Sequence, residues 1–240
     1  MSRWTSFALL VSAIASVLVL GAATHGFAPT LAHVSVVRST QVTPIKPVPS
    51  PRGRELRASV EPLIVDAADN AVVVRLTNPN RHRAIVDAPI VIALLDSAGT
   101  VVGTNAAAGT DPLFTRVPYL GPGETALFVS DQIATDARPS RARVTARARF
   151  SGVRRARLAL RATQLRMGPF GWIAAGSVVN SGRVDRSRRV LLQAVVHRAG
   201  RIVAAGTTIV VTPPRRSTPF QILLLGNATG GRLSVWAPPQ

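Results

Sequence analysis

The chain has 240 residues, 47% of them hydrophobic, and a formal net charge of +18 from 29 Lys+Arg against 11 Asp+Glu. That hydrophobic fraction excludes a wholly disordered chain, and the length suffices for two small domains. The absence of cysteine excludes a disulfide scaffold, a thiolate metal site, a thiol enzyme and a tether through an acylated cysteine.

Residues 4–23 carry no charge and follow Met-Ser-Arg3. Twenty residues at the helical rise reach about 30 Å, the thickness of a bilayer core. Two readings fit. One is a cleavable secretory signal, with Gly21-Ala22-Ala23 offering the small residues of a cleavage site; the other is an uncleaved signal-anchor. Beyond Arg3 there is no Lys or Arg until Arg38, so the positive-inside rule puts the bulk of the chain outside in either case. Residues 25–57 form a linker whose Pro44, Pro47, Pro49 and Pro51 favour an extended spacer.

From Val60 onward the pattern has a period of two. Ala71–Thr77 reads as a strand ended by Asn78-Pro79-Asn80, and the Asp66/Asp69/Asn70 stretch before it as a hairpin turn. Ala88–Leu95 is a second strand, ended by a type I turn with Asp96 as its cap and Gly99 in its last place. Val101-Val102 resumes the sheet, 104–116 reads as a long loop, Gly121-Pro122-Gly123-Glu124 as a turn, Thr125–Val129 as a strand, and Arg141–Arg149 closes the unit.

The same order recurs about a hundred residues on. Ile173–Val179 ends at Asn180, Val190–Val196 ends at His197-Arg198-Ala199-Gly200, Phe220–Leu224 follows Thr212–Arg216, and Arg232–Trp236 closes the second unit. Asn78 thus matches Asn180, Gly99 matches Gly200 and Phe128 matches Phe220, with the slip confined to the 104–116 loop. The expected architecture is all-β: two tandem Ig-like antiparallel β-sandwiches, at 58–150 and 151–240, after the N-terminal segment 1–24 and the Pro-rich linker.

Ile92-Ala-Leu94-Leu95-Asp96-x-x-Gly99 resembles the motif that names the FxLYD domain family, a strand end running into a Gly turn. Val74–Asn78 resembles that family's strand ending in Asn, and Leu120–Phe128 its Pro-Gly-Glu turn before a strand with Phe. The resemblance covers about 60–147 and, more weakly, 157–238. Ile92 and Leu95 stand where the family has aromatics, and Val195, Val196 and His197 replace its Leu, Tyr and Asp in the second unit. Asn78-Pro79-Asn80 also resembles the late-embryogenesis-abundant type of sandwich. Both resemblances imply an extracytoplasmic or membrane-proximal sandwich, and neither implies a catalytic site.

Catalytic motifs are missing: there is no G-x-S-x-G elbow, phosphate loop or H-E-x-x-H. His25 and His33 lack a third ligand nearby, and His197 reads as a turn cap in the place of Asp96. The carboxylates Asp87, Asp96, Asp111, Glu124 and Asp131 sit at turn positions, where capping is their ordinary use. The chain therefore reads as a non-enzyme without cofactor or metal.

The charge is confined to one part of the chain. Residues 1–136 hold nine arginines and Lys46 against ten acids, whereas 137–240 hold 19 arginines and one acid, Asp185. A GC-rich genome accounts for Arg over Lys but not for the missing acids. Arg141, Arg143, Arg147 and Arg149 share parity, as do Arg155, Arg157 and Arg161, with Leu158, Leu160 and Ala162 expected on the opposite side of the latter set. Such a row is either a solvated outer face or an anion-binding strip for an envelope polymer or lipid headgroups. Only Phe150 lies within 141–166 to stack on a base, which argues against nucleic acid. Three roles follow as expectations: a membrane-anchored or secreted structural or binding module of the cell envelope, a binder of anionic polymer or lipid, or an accessory subunit that pairs with an envelope protein.

Overall fold

A computed structural model of the chain describes residues 55–65, 69–151, 158–180 and 187–238. The apolar segment 4–23, the linker up to residue 54, and Asp66, Arg155, Arg157, Gly182 and Asp185 lie outside the described residues. Among those described, no helix is long and apolar enough to cross a membrane.

The described chain is all-β, with every strand pairing antiparallel. In the first half the strands are β1 (Arg57–Val65), β2 (Asn70–Thr77), β3 (Ala84–Leu95), β4 (Val101–Thr104), β5 (Arg116–Leu120), β6 (Thr125–Ser130), β7 (Arg141–Ala146) and β8 (Phe150–Ser151). The second half holds β9 (Ala159–Gly168), β10 (Gly171–Val179), β11 (Arg188–Arg198), β12 (Arg201–Thr212), β13 (Ser217–Leu223), β14 (Leu225–Gly226) and β15 (Arg232–Trp236). The sheets run β1-β2-β6, β4-β3-β5 with β7 and β8 also on β3, β13-β10-β9, and β14-β12-β11-β15.

Each half encloses a core in sandwich-like fashion. Val72, Val74 and Leu76 of β2 meet Ile85, Ile90, Ile92 and Leu94 of β3 and Phe128 of β6, all buried. In the second half Ala174 and Val178 of β10 meet Leu192, Ala194 and Val196 of β11 and Phe220 and Ile222 of β13. The alternation of inward residues along each strand is what the period-two pattern predicts.

The Asn78/Asn180 and Phe128/Phe220 correspondences read from the sequence reappear in the register, whereas Gly99 closes the Asp96–Gly99 turn and Gly200 sits in a two-residue loop between Arg198 and Arg201. Thr77 lies opposite Thr125 and Val179 opposite Ser217, so Phe128 and Phe220 each sit three residues along the partner strand. Asn78 N donates to Glu124 O at 2.9 Å and Asn180 N to Arg216 O at 3.2 Å. Gly123 (φ +66°) has its counterpart in Arg215 (φ +56°), at the same step of the turn before the strand. Asp96 caps its turn as expected: Oδ1 accepts from Thr100 N at 2.8 Å, and Gly99 takes φ +91°.

The loop at 104–116 has a structural reason. In the second half one strand, β12, runs unbroken along β11 from Arg201 to Thr212. In the first half that place is divided between β4, opposite Leu95–Ala93, and β5, opposite Pro89–Ile85. The extra residues leave the sheet between them and include a one-turn 3₁₀ helix, Pro112–Phe114. The strand β5 carries Pro118, whose missing N–H is tolerated because β5 bonds β3 alone.

One expectation on the second half is corrected. Ala162 does not face the core: Arg161 pairs with Ser177 and Gln164 with Ala175, so two residues of β9 oppose Gly176 alone. This β-bulge puts Ala162 at φ +51° in an exposed position, and the inward phase resumes at Leu165. Gly176 is the residue that admits it, since an added Cβ there would lie 3.0 Å from Arg161 O and 2.9 Å from the Phe220 ring.

Candidate functional site

The arginine row begins on β7, where Arg141 lies opposite Leu95 and Arg143 opposite Ala93 of β3. Arg141, Arg143, Arg147 and Arg149 are all exposed, while Ala142, Val144, Ala146, Ala148 and Phe150 pack on the first core. The alternation survives a break in pairing after Ala146. There Arg147 N donates to Pro89 O at 3.1 Å and Val86 N to Arg149 O at 2.7 Å, with Asp87 (φ +46°) kinking β3 opposite the break.

The four arginines are not equivalent. Arg149 Nη1 donates to Asp87 Oδ2 at 3.2 Å, and Arg116 Nη1 reaches the same oxygen at 2.9 Å. Arg141 lays its guanidinium over Gly99, where an added Cβ would meet Nη2 at 2.7 Å. Arg141, Arg143 and Arg147 make no ion pair with a described carboxylate. Arg161 is exposed on β9, in a sheet of the other half, so the row read from the sequence is divided between two sheets.

The carboxylates hold the scaffold. Glu124 Oε2 accepts from Gly121 N at 2.7 Å across the Pro-Gly turn. Asp111 Oδ1 accepts from Leu113 N at 3.0 Å at the start of the 3₁₀ turn, and its other oxygen meets Arg189 of β11. The Leu113 N–H first, and Arg189 next, hold the Asp111 carboxyl below the ordinary carboxylate range against the opposing effect of burial. Asp131 accepts from Thr207 N at 2.6 Å and from the Thr207 hydroxyl at 2.5 Å, which ties the end of β6 to β12. No group of three His, Cys, Asp or Glu that could hold a metal occurs among the described residues.

The expected turn cap at His197 is corrected. Ala199 (φ +50°) and Gly200 (φ +76°) form a two-residue type I′ hairpin loop between Arg198 and Arg201, which needs no side-chain cap. His197 instead lines a cleft of about 290 Å³ between the halves, with Pro118 and Tyr119 of β5, Thr125 of β6, Gln193 of β11 and Trp236 of β15.

Below the cleft lies an apolar contact between the halves that the sequence reading did not foresee. Ala71, Val73 and Val129 of the first half meet Val195 and Ala205 of the second, all buried, with Ile64, Leu127, Ile202, Leu225 and Trp236 around them. Buried Gln193 accepts from Val129 N at 2.5 Å, so the edge of β6 is satisfied by a side chain of the other half. The signal was available: Ala71–Val74 and Leu191–Val196 are apolar at almost every position, the pattern of strands covered on both faces. No family model and no curated protein matches the chain.

Proposed function

We propose that the chain is a non-enzymatic binding or structural module of the cell envelope: two FxLYD-like, Ig-like sandwiches, at 58–150 and 151–240, held outside the membrane by the N-terminal apolar segment or released by its cleavage. The observation that carries this reading is the use of the polar groups. Asp87, Asp96, Asp111, Glu124 and Asp131 each hold a turn, a strand end or the contact between halves, which supports a scaffold that presents a surface. Fractionation of cells expressing the full-length chain tests it: recovery with envelope or medium is expected, and recovery in the cytosol overturns it. Intact mass distinguishes an anchor from a cleaved signal.

A specific observation favours an anion-binding role for that surface. Arg141, Arg143 and Arg147 project from one side of one chain segment without ion pairs to the described carboxylates, Arg141 and Arg143 about 7 Å apart and Arg147, beyond Thr145, about 14 Å further on. Guanidinium groups at these spacings suit a chain of phosphates. Retention on an anionic wall polymer should fall steeply with salt and drop in the triple variant R141Q/R143Q/R147Q. Unchanged retention of that variant overturns the role.

A further inference from the structure

The strands β9 and β10 are joined through two residues, Pro169 and Phe170, with Gly168 opposite Gly171 across the turn. Such a tip is ordinarily polar, built from Asn, Asp, Gly or Ser. Here it is apolar throughout. Phe170 is 87% exposed and Met167 is 61% exposed, the two most exposed large hydrophobic side chains among the described residues. Met167 lies opposite Trp172, whose ring packs against the second core and anchors the tip to the body.

We propose that the β9–β10 tip is a wedge that enters the headgroup region of an anionic lipid bilayer. The shape favours lipid over a protein groove or a small ligand: Phe170 stands at the convex end of a hairpin, where it can enter a deformable surface but encloses nothing. Depth fits as well. The turn and the Met167–Trp172 row, at about 3.4 Å per residue, reach about 7 Å, within the roughly 5–10 Å to which interfacial elements bury their apolar face.

Charge fixes the kind of lipid. Arg166 precedes Met167 and Arg161 lies further along β9, both exposed, while β9, β10 and β13 carry no acid. Arg166, just behind the apolar tip, places its guanidinium at headgroup level, where phosphate oxygens accept from it, while Arg161, roughly 17 Å behind the Met167–Trp172 row, adds only longer-range attraction. Entry stops at the hairpin, because Leu223, the next exposed apolar side chain, borders a groove that holds Asp69 and Asp131.

The wedge rests on the proposed envelope location only in needing a bilayer to meet. Because the chain lacks cysteine, Met167→Cys provides a single site for a nitrobenzoxadiazole label in the full-length protein, and Ser97→Cys, in an exposed turn, provides the control. Vesicles of phosphatidylcholine with one-third phosphatidylglycerol should shift the emission of the label at 167 to the blue and raise it several-fold. Phosphatidylcholine alone should do so far less, the label at 97 should not respond, and Phe170→Asp in the labelled protein should abolish the change. A label at 167 that reads water on both vesicles, or that responds undiminished after Phe170→Asp, overturns the wedge. An equal response on both vesicles overturns the choice of anionic lipid. A blue shift without vesicles that grows with protein concentration assigns the tip to a second copy of the chain and likewise overturns the proposal. Insertion by a chain that fractionates with the cytosol would sink the envelope reading and leave the wedge standing.

Discussion

Asn105 does the work of a strand residue from outside any strand. Its Oδ1 accepts from Ile92 N at 2.7 Å, and its Nδ2 donates to Ile90 O at 3.1 Å and to Phe114 O at 2.8 Å. These bonds bridge the gap in β3's edge between β4 and β5, where β12 supplies backbone in the other half. Asn105→Ala would leave a buried N–H and two carbonyls without their partner, at a cost of about 2–3 kcal/mol. Chemical denaturation reads that loss directly, and a variant within experimental error of the parent would refute the bridging role. Asn78 and Asn180 were legible beforehand because each closes a β-branched run. Asn105 was not, because Asn-Ala-Ala-Ala-Gly reads as loop and its partners lie on strands that only the fold brings near.

At the scale of elements, what was legible was what local chemistry dictates. The β-branched run of β2, the Asp96–Gly99 turn and the Pro-Gly turn before β6 each announce themselves within a few residues. The strand β5 was hidden by Pro118, which sequence rules count against a strand and which an edge accepts. The bulge at Ala162 was hidden because the close approach of Gly176 to Arg161 and Phe220 is a contact between strands. The β11–β12 loop offers a test of this local logic. Ala199 occupies the left-handed region at φ +50°, where an alanine costs roughly 1–2 kcal/mol and Asn-Gly is the favoured pair for a type I′ turn. Ala199→Asn should therefore stabilise the protein by about 0.5–1 kcal/mol. A higher urea midpoint at unchanged slope is the expected outcome, and a lower midpoint would show that the hairpin is not limited by its turn.

For the molecule as a whole, the question is whether the halves behave as separate bodies. Two covalently linked sandwiches with a polar contact would move and unfold separately. The contact here is of another kind. Val73, Val129, Val195 and Ala205 are fully buried between the sheets, and the polar groups that cross the boundary are matched in pairs: Gln193 with Val129 N, Asp131 with Thr207, Arg189 with Asp111. The charge asymmetry does not oppose it, because first-half carboxylates meet second-half groups at two of these pairs. Unfolding either half would expose apolar surface of the other and leave Val129 N without its acceptor, so local loss costs both halves at once. The expected behaviour is a single thermal transition whose calorimetric and van't Hoff enthalpies agree. Val73→Asp tests the origin of that coupling, since it sets an unpaired carboxylate in the buried centre of the contact, away from the cleft, while the side chains of both flanking cores stay as they are. It should cost about 3 kcal/mol and divide the transition in two. A parent protein that already melts in two steps would show that the buried contact does not couple the halves; a variant that stays cooperative would move the coupling to the Gln193 and Asp131 bonds.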